Sequence, residues 1–347
     1  MKINFKKSFL LLTLFIVSAL SLVTFASAQQ TPSLNLTLSP SLLDISSPPD
    51  GTINGQFRLR NNLSKPVTLA ISVDRLDAGG DGSIKPAKAQ AADAYISWLT
   101  FENNKLTAAP QEWTNIKYSI KIPKEAAFGY YYAIRISQTG EAQKTNTTVL
   151  GEVVLPLLLD VKKDGSKKEI KLVEFKTNQF VNEYLPVEFV TTVQNSGNVH
   201  IKPLGNIFIR GTKEKDLGVI DVNPNLGTVL PGNKRTLTAK WDDGFLVKEN
   251  VLEDGSPKLD KNNKPLTHLA IHWNKLTAFR IGKYTANLLL VYDNGKKDIP
   301  IEATTEFWII PYTAIAIALG AIIVLFIIIR FMLKAYIQGQ IKKAQNK

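Results

Sequence analysis

The stretch PVTLAISVDRL, residues 66–76, decides the fold class. Every second position is apolar from Val67 to Val73, and the residues between them are small or polar. Successive side chains of a β-strand point to opposite faces of its sheet. The alternation therefore predicts a strand with one buried face.

Similar runs lie on both sides of this stretch. GQFRLRN (55–61) and NIKYSIKIP (115–123) alternate in the same way, and EVVLPLLLDV (152–161) is apolar almost throughout. After the charged stretch VKKDGSKKE, which predicts a linker, a second set begins with KLVEF and ends with IPIEATTEFWII. Each set holds roughly seven predicted strands, which is typical of antiparallel immunoglobulin-like sandwiches. The predicted fold is all-β, with two tandem immunoglobulin-like β-sandwiches.

The two ends of the chain carry the signals of export and membrane anchoring. The first thirty residues have a basic front, an apolar run and the sequence Ala26-Ser27-Ala28, the layout of a cleaved signal peptide; a first membrane span is the alternative. From Phe307 to Ile329 no residue is charged, and a helix of that length, about 34 Å, crosses a bilayer. The residues after it are basic, which places the tail in the cytoplasm and the sandwiches outside.

These signals divide the chain into five parts. They are a signal peptide (1–28), a first immunoglobulin-like sandwich (29–162), a second one (163–306), a transmembrane α-helix (307–329) and a basic cytoplasmic tail (330–347).

Charge and cysteine content narrow the possible functions. The formal charge is +12, but eight of these charges belong to the signal peptide and the tail, so they reflect membrane topology and nucleic acid is not an expected partner. The sequence has no cysteine. Disulfide scaffolds, zinc ribbons and thiol nucleophiles are therefore excluded, and hydrophobic cores must stabilise the exported part.

The three consecutive tyrosines in AFGYYYAIRI (127–136) raise the question of a ligand site. On a strand, Tyr130 and Tyr132 share a face with two isoleucines, which predicts that they belong to the core. Tyr131 and Arg135 lie on the opposite face. We expect this exposed pair to be a candidate contact for a sugar or a peptide.

No other residues form a convincing chemical site. The sequence lacks the common nucleophile, zinc-protease, phosphate-loop and dinucleotide motifs, so we predict no catalytic residue, no cofactor and no metal. His268 and His272 lie four residues apart without a third ligand nearby, and DAGGDG (77–82) lacks the spacing of a calcium loop. Two long segments, 77–98 and 245–273, are predicted to be loops, where partner contacts would be sought.

Local patterns in both halves resemble one family of bacterial surface proteins. They are FRLRNNLSKPVTLAISVDRLDAGGDG, IPKEAAFGYYYAIRIS, VQNSGNVHIKPLGNIFIRG, LGTVLPGNKRTLTAKW, RIGKYTANLLLVY and FWIIPY. Together they resemble the WxL-interacting protein family. The resemblance implies a signal peptide, two immunoglobulin-like domains, one C-terminal membrane helix and a basic tail. It also implies a first domain associated with peptidoglycan and a second with partner or host proteins. The segment 245–273 departs from the family pattern.

Three functions fit the sequence. The first is a non-catalytic, membrane-anchored surface protein that binds peptidoglycan or another cell-wall polymer, or a surface or host protein. The second is an accessory or chaperone-like subunit of a membrane secretion or pilus-assembly complex, which could bind through a strand edge. The third is an exported glycan hydrolase, built from loop carboxylates. The predicted topology and the missing catalytic motifs favour the first function, a non-catalytic surface protein.

Overall fold

The computed structural model describes residues 34–139, 151–212 and 216–345. In these residues the chain is built mainly from β-strands and ends in a long apolar helix. The predicted signal peptide, 1–28, lies outside the described residues, as do the last two residues of the predicted basic tail.

Strands β1 to β10 form two facing sheets, here called the N-terminal sheet pair. The strands are β1 (Leu36–Ser39), β2 (Leu43–Ser47), β3 (Thr52–Asn61), β4 (Val67–Ala78), β5 (Ile84–Ala87), β6 (Leu99–Phe101), β7 (Lys105–Ala108), β8 (Trp113–Lys121), β9 (Phe128–Gln138) and β10 (Glu152–Val161). One sheet has the order β1-β3-β8-β6, and the other has the order β2-β10-β9-β4-β5, with β7 also paired to β4. The opening stretch, residues 66–76, lies in β4 almost entirely, as its alternation predicts.

Strands β11 to β22 form the C-terminal sheet pair. The strands are β11 (Ile170–Thr177), β12 (Val181–Asn182), β13 (Val187–Asn195), β14 (Leu204–Gly211), β15 (Asp216–Asp221), β16 (Lys234–Trp241), β17 (Leu246–Asn250), β18 (Leu252–Glu253), β19 (Ser256–Pro257), β20 (Thr267–Ile271), β21 (Gly282–Asp293) and β22 (Asp298–Ile309). Its main sheets have the orders β11-β13-β16 and β12-β22-β21-β14-β15.

Each sheet pair encloses its own hydrophobic core. Phe57 and Tyr132 are fully buried in the first core, and both belong to strands whose sequence alternates. In the second core, Trp241 packs edge-on against Phe307, with ring centroids 6.1 Å apart. The predicted placement of Tyr130 and Tyr132 in the core is also found, since Tyr130 packs against the same cluster as the buried Tyr132. The Tyr130 hydroxyl accepts a hydrogen bond from the Ala127 N–H at 3.1 Å.

The segment 245–273 is not the loop that the sequence predicts. It forms an antiparallel ladder between β17 and β20, in which Leu246 pairs with Ile271, and a smaller ladder between β18 and β19. All residues of β20 except Ala270 are exposed. A strand with no buried face leaves no period-2 signal, which is why the sequence did not reveal these hairpins.

The segment 77–98 is also more ordered than predicted. It holds the end of β4, strand β5 and a 3₁₀ turn at Ala94–Trp98. Its glycine turn contacts the C-terminal sheet pair, where the Thr236 N–H donates to the Asp81 carbonyl at 3.1 Å. Gly82 has a φ of +78° and a Cβ there would lie 2.0 Å from the Lys234 carbonyl oxygen, so only glycine fits.

The apolar helix α1 (Tyr312–Gln345) starts later than the predicted span. Phe307 is fully buried in the second core on strand β22, so its assignment to the membrane helix, and the domain boundary at 306, are wrong. The part of α1 that is long and apolar enough to cross a membrane is Tyr312–Gln338, with a mean hydropathy of 2.8. Phe307 and Ile309 face the core at the end of β22, immediately before α1 begins. The strand and the helix therefore form one continuous apolar run in the sequence, which does not mark the boundary between them.

Candidate functional site

The structure does not expose Tyr131 as predicted. Its ring packs edge-on against His200 of the C-terminal sheet pair, with ring centroids 5.7 Å apart. Its hydroxyl lies over Gly129, is buried, and has no hydrogen-bond partner among the described residues. Burial raises the pKa of the Tyr131 phenol. The expectation that Tyr131 is exposed is therefore wrong. Its ring packs against the cluster of Leu76, Ala133 and Leu158 as well as against His200 of the other sheet pair, and alternation along one strand reveals neither contact.

Arg135 lies on the same strand with its charge already compensated. Its guanidinium makes a bidentate pair with Glu152, at 2.8 and 2.6 Å, and a third bond to Asp74 at 2.7 Å. These hydrogen bonds, the one to Glu152 first, raise the pKa of Arg135, and the bond to Arg135 lowers the pKa of Asp74. An acidic ligand would have to displace one of two carboxylates, so a partner contact at Arg135 stays a prediction.

A charged cluster joins the two sheet pairs beside Tyr131. Asp44 on β2 lies 3.1 Å from His200 Nε2 and 2.5 Å from Lys202 Nζ, both from the segment before β14. His200 is only 7 % exposed. The hydrogen bond to His200, followed by the one to Lys202, holds the pKa of Asp44 well below its usual range. The cluster is best explained as a structural contact that fixes the sheet pairs to each other.

This cluster makes the stability of the chain sensitive to acid. A carboxylate whose pKa is lowered in the folded state contributes its full stabilisation above the pKa of the unfolded chain, 3.8 for aspartate. This contribution declines as the pH falls below 3.8 and is lost as the pH falls through the lower pKa of the folded state. We expect Asp44→Asn to lower the free energy of unfolding at pH 7 by about 1 kcal/mol, since the carboxylate is partly exposed. Denaturant titrations at pH 7 and pH 3 check this, and the difference between the two proteins should shrink at pH 3. An equal difference in the free energy of unfolding at pH 7 and pH 3 would contradict a stabilising role for the Asp44 carboxylate.

A shallow groove lies on the β1-β3-β8-β6 sheet of the N-terminal pair. It has a volume of about 540 Å³ and is lined by Asn54, Gly55, Gln56, Thr100, Phe101, Glu102, Lys117, Tyr118 and Ser119. Among these, Asn54, Gln56, Thr100, Glu102 and Lys117 are exposed, and Lys117 pairs with Glu102 at 3.5 Å. Amide and hydroxyl groups on an open strand face suit hydrogen bonding to an extended polar chain.

The second candidate surface is the outer edge of strand β15. Among the described residues β15 pairs with β14 alone, with Val219 opposite Phe208, and so ends its sheet. Its four central residues are uncharged, and Val219 is 57 % exposed. Strand β16, at the edge of the facing sheet, instead carries Lys234, Arg235 and Lys240. Charged side chains on an edge strand protect it from pairing with another chain. β15 carries them only at its two ends, Asp216 and Asp221, so its centre is less protected than that of β16.

No metal or catalytic site emerges from the described part of the chain. It contains no group of three or more His, Asp or Glu side chains that could hold a metal ion. His272 instead pairs with Glu249 at 2.9 Å across the end of the β17–β20 ladder. The prediction that the chain has no catalytic residue stays a prediction.

Comparison with known proteins gives only remote likenesses. No protein-family model matches the sequence, and no curated protein matches it significantly. Among solved structures, the chain is similar to the class 5 fimbriae chaperone CfaA (11 % identity, 78 % of this chain and 99 % of that one, TM-score 0.36). It is likewise similar to the E. coli chaperone DraB (10 % identity, 78 % of this chain and 99 % of that one, TM-score 0.36). It is also similar to the Salmonella enterica SafA pilin–SafB chaperone complex (11 % identity, 79 % of this chain and 98 % of that one, TM-score 0.36). TM-scores below 0.5 do not establish a shared fold.

Proposed function

We propose that the chain is a membrane-anchored protein of the bacterial cell surface that binds another exported protein by pairing it with strand β15. The uncharged centre of the β15 edge carries this proposal. An extended segment added beside an edge strand gains main-chain hydrogen bonds along its length, and exposed apolar side chains such as Val219 add selectivity. The predicted accessory or chaperone-like role in a secretion or pilus-assembly complex would use the same contact.

The rest of the architecture supports presentation of this edge outside the cell. In the proposal, the two sheet pairs are immunoglobulin-like domains covering 29–162 and 163–309, and α1 anchors them. The basic segment 330–347 lies in the cytoplasm, because basic flanks remain on that side of the membrane. Binding by strand pairing requires no catalytic residue, in agreement with the sequence.

Substitution at Val219 tests the strand edge. Val219→Lys places a charge on the edge strand, and we expect the full-length, detergent-extracted chain to lose its co-purifying surface protein. Val219→Thr keeps a β-branched side chain of similar size and should retain it. The measurement is quantitative mass spectrometry of the proteins that co-purify with each variant, and a photo-crosslinker at 219 should capture the same protein. Equal recovery with lysine and threonine at 219 would refute the edge as the binding surface.

The groove of the N-terminal sheet pair favours a second candidate function, binding of a cell-wall polymer. Its exposed amides, Asn54 and Gln56, could hydrogen-bond a glycan chain laid across the strands. Sedimentation of the full chain with purified peptidoglycan tests this. The double variant Asn54→Ala/Gln56→Ala should lose co-sedimentation, while Asn115→Ala, an exposed amide on β8 outside the groove, should not.

A further inference from the structure

A cluster of exposed apolar side chains lies in the segment that leads into β21. Trp273 is 73 %, Leu276 60 %, Phe279 50 % and Ile281 48 % exposed. They belong to a 3₁₀ turn, Trp273–Ala278, and the three residues after it. This set is called the apolar turn below. Phe245 holds it in place from behind, with ring centroids 5.5 Å from Trp273 and 5.9 Å from Phe279.

The apolar turn lies at the end of the sheet from which α1 departs. Gly282, directly after the turn, pairs with Ile309, the last residue of β22. Phe279 and Ile281 line one crevice together with Ile309 and Pro311. The turn is therefore continuous with the first residues of the apolar helix.

The charged residues of the turn are already paired within the protein. Lys275 lies 2.9 Å and Arg280 3.5 Å from the carboxylate of Asp243. Because both share this one carboxylate, the turn keeps a single net positive charge to offer an anionic partner. The contact this surface can make is mainly apolar, with Trp273, whose ring favours the boundary between lipid and water, as its most exposed member.

We propose that the apolar turn inserts into the interfacial layer of the bilayer that α1 crosses, so that the C-terminal sheet pair rests on the membrane through two contacts. This inference rests on the proposed anchoring role of α1. The candidate membrane segment Tyr312–Gln338 has 27 residues, about 40 Å as a helix. Its uncharged part, 312–329, is followed by Arg330 and is about 27 Å long as a helix. Because this part alone nearly matches a hydrocarbon core of about 30 Å, the first turn of α1 and the neighbouring apolar turn lie at the outer headgroup level. Two contacts would fix the tilt of the sheet pair, and with it the direction in which β15 faces.

Single-cysteine labelling can locate the turn directly, because the chain contains no cysteine of its own. The full chain is reconstituted in phosphatidylcholine vesicles with a nitroxide on Leu276→Cys, Ile322→Cys or Leu204→Cys. Ile322 is central in α1, and Leu204, 53 % exposed, lies opposite Val291 near the other end of β21. For each nitroxide we measure its accessibility to two reagents. Oxygen concentrates in lipid, and a nickel chelate stays in water.

We expect the label at 276 to be several-fold less accessible to nickel than the label at 204, with raised accessibility to oxygen. If 276 is as accessible to nickel as 204 while 322 is in lipid, the turn does not contact the membrane and the anchor stands. If 276 is shielded from both reagents, protein covers the turn and the inference is wrong. If 322 is itself accessible to nickel, the anchor is wrong and the inference falls with it. Repeating the measurement in high salt should change nothing, because the contact is apolar.

Discussion

The full chain with aspartate at both Ile322 and Leu325 is expected to leave the membrane pellet under alkaline carbonate, whereas the unchanged chain stays in it. Both residues lie near the middle of the candidate membrane segment and are more than half exposed, at 61 % and 56 %. A charge at the centre of a membrane helix costs about 2.5–3.5 kcal/mol, so the pair costs about 5–7 kcal/mol. That is enough to remove most of the tendency of α1 to insert.

The matched control keeps the helix apolar. Ile322→Leu/Leu325→Ile changes the same positions without adding charge and should remain in the pellet. The amount of chain in pellet and supernatant is measured by immunoblot for all three proteins. Retention of the double aspartate variant at the level of the unchanged chain would mean that α1 is not the anchor.

The second large effect is expected from Trp241→Ala in the core of the C-terminal sheet pair. Trp241 is 2 % exposed and packs against Tyr284, with ring centroids 5.5 Å apart, as well as against Phe307. Truncating a buried tryptophan to alanine costs about 3–5 kcal/mol, through lost burial and the cavity that remains. Since domains are stable by only about 5–15 kcal/mol, much of this sheet pair's stability would be lost.

An exposed tryptophan provides the control for this substitution. Trp113 on β8 is 42 % exposed, with the Arg58 guanidinium 5.1 Å from its ring centroid. Trp113→Ala should change the free energy of unfolding by about 1 kcal/mol or less. Denaturant unfolding in detergent, followed by circular dichroism, compares the two variants. Similar losses for both would contradict the assignment of Trp241 to a core and Trp113 to the surface.

Strand content was predictable where a strand has one buried and one exposed face. β4 and β8 alternate so regularly that their core residues could be identified from the sequence. The β17–β20 ladder gave no such signal because almost all of β20 is exposed. The start of α1 was misplaced by five residues because Phe307 and Ile309, which face the core, precede the helix without a polar break.

The candidate site was less predictable, because it depends on contacts between distant parts of the chain. Tyr131 was expected to be exposed from its position on β9, but the cluster of Leu76, Ala133 and Leu158 on one side and His200 from the other sheet pair bury it. The edge position of β15 likewise depends on sheet order, which a strand's own sequence does not encode. The one usable signal was local: β15 lacks the lysines and arginine that β16 carries.

The most direct test of the central claim asks on which sides of the membrane the two parts of the chain lie. Single cysteines replace Asn115, which is exposed on β8, and Lys347, the last residue of the sequence. Right-side-out membrane vesicles from cells that produce the full chain are treated with a maleimide that cannot cross membranes. We predict labelling at 115 in intact vesicles and at 347 only after permeabilisation. Labelling at 347 with protection at 115, or equal labelling of both before permeabilisation, would contradict a chain held outside the cell by α1.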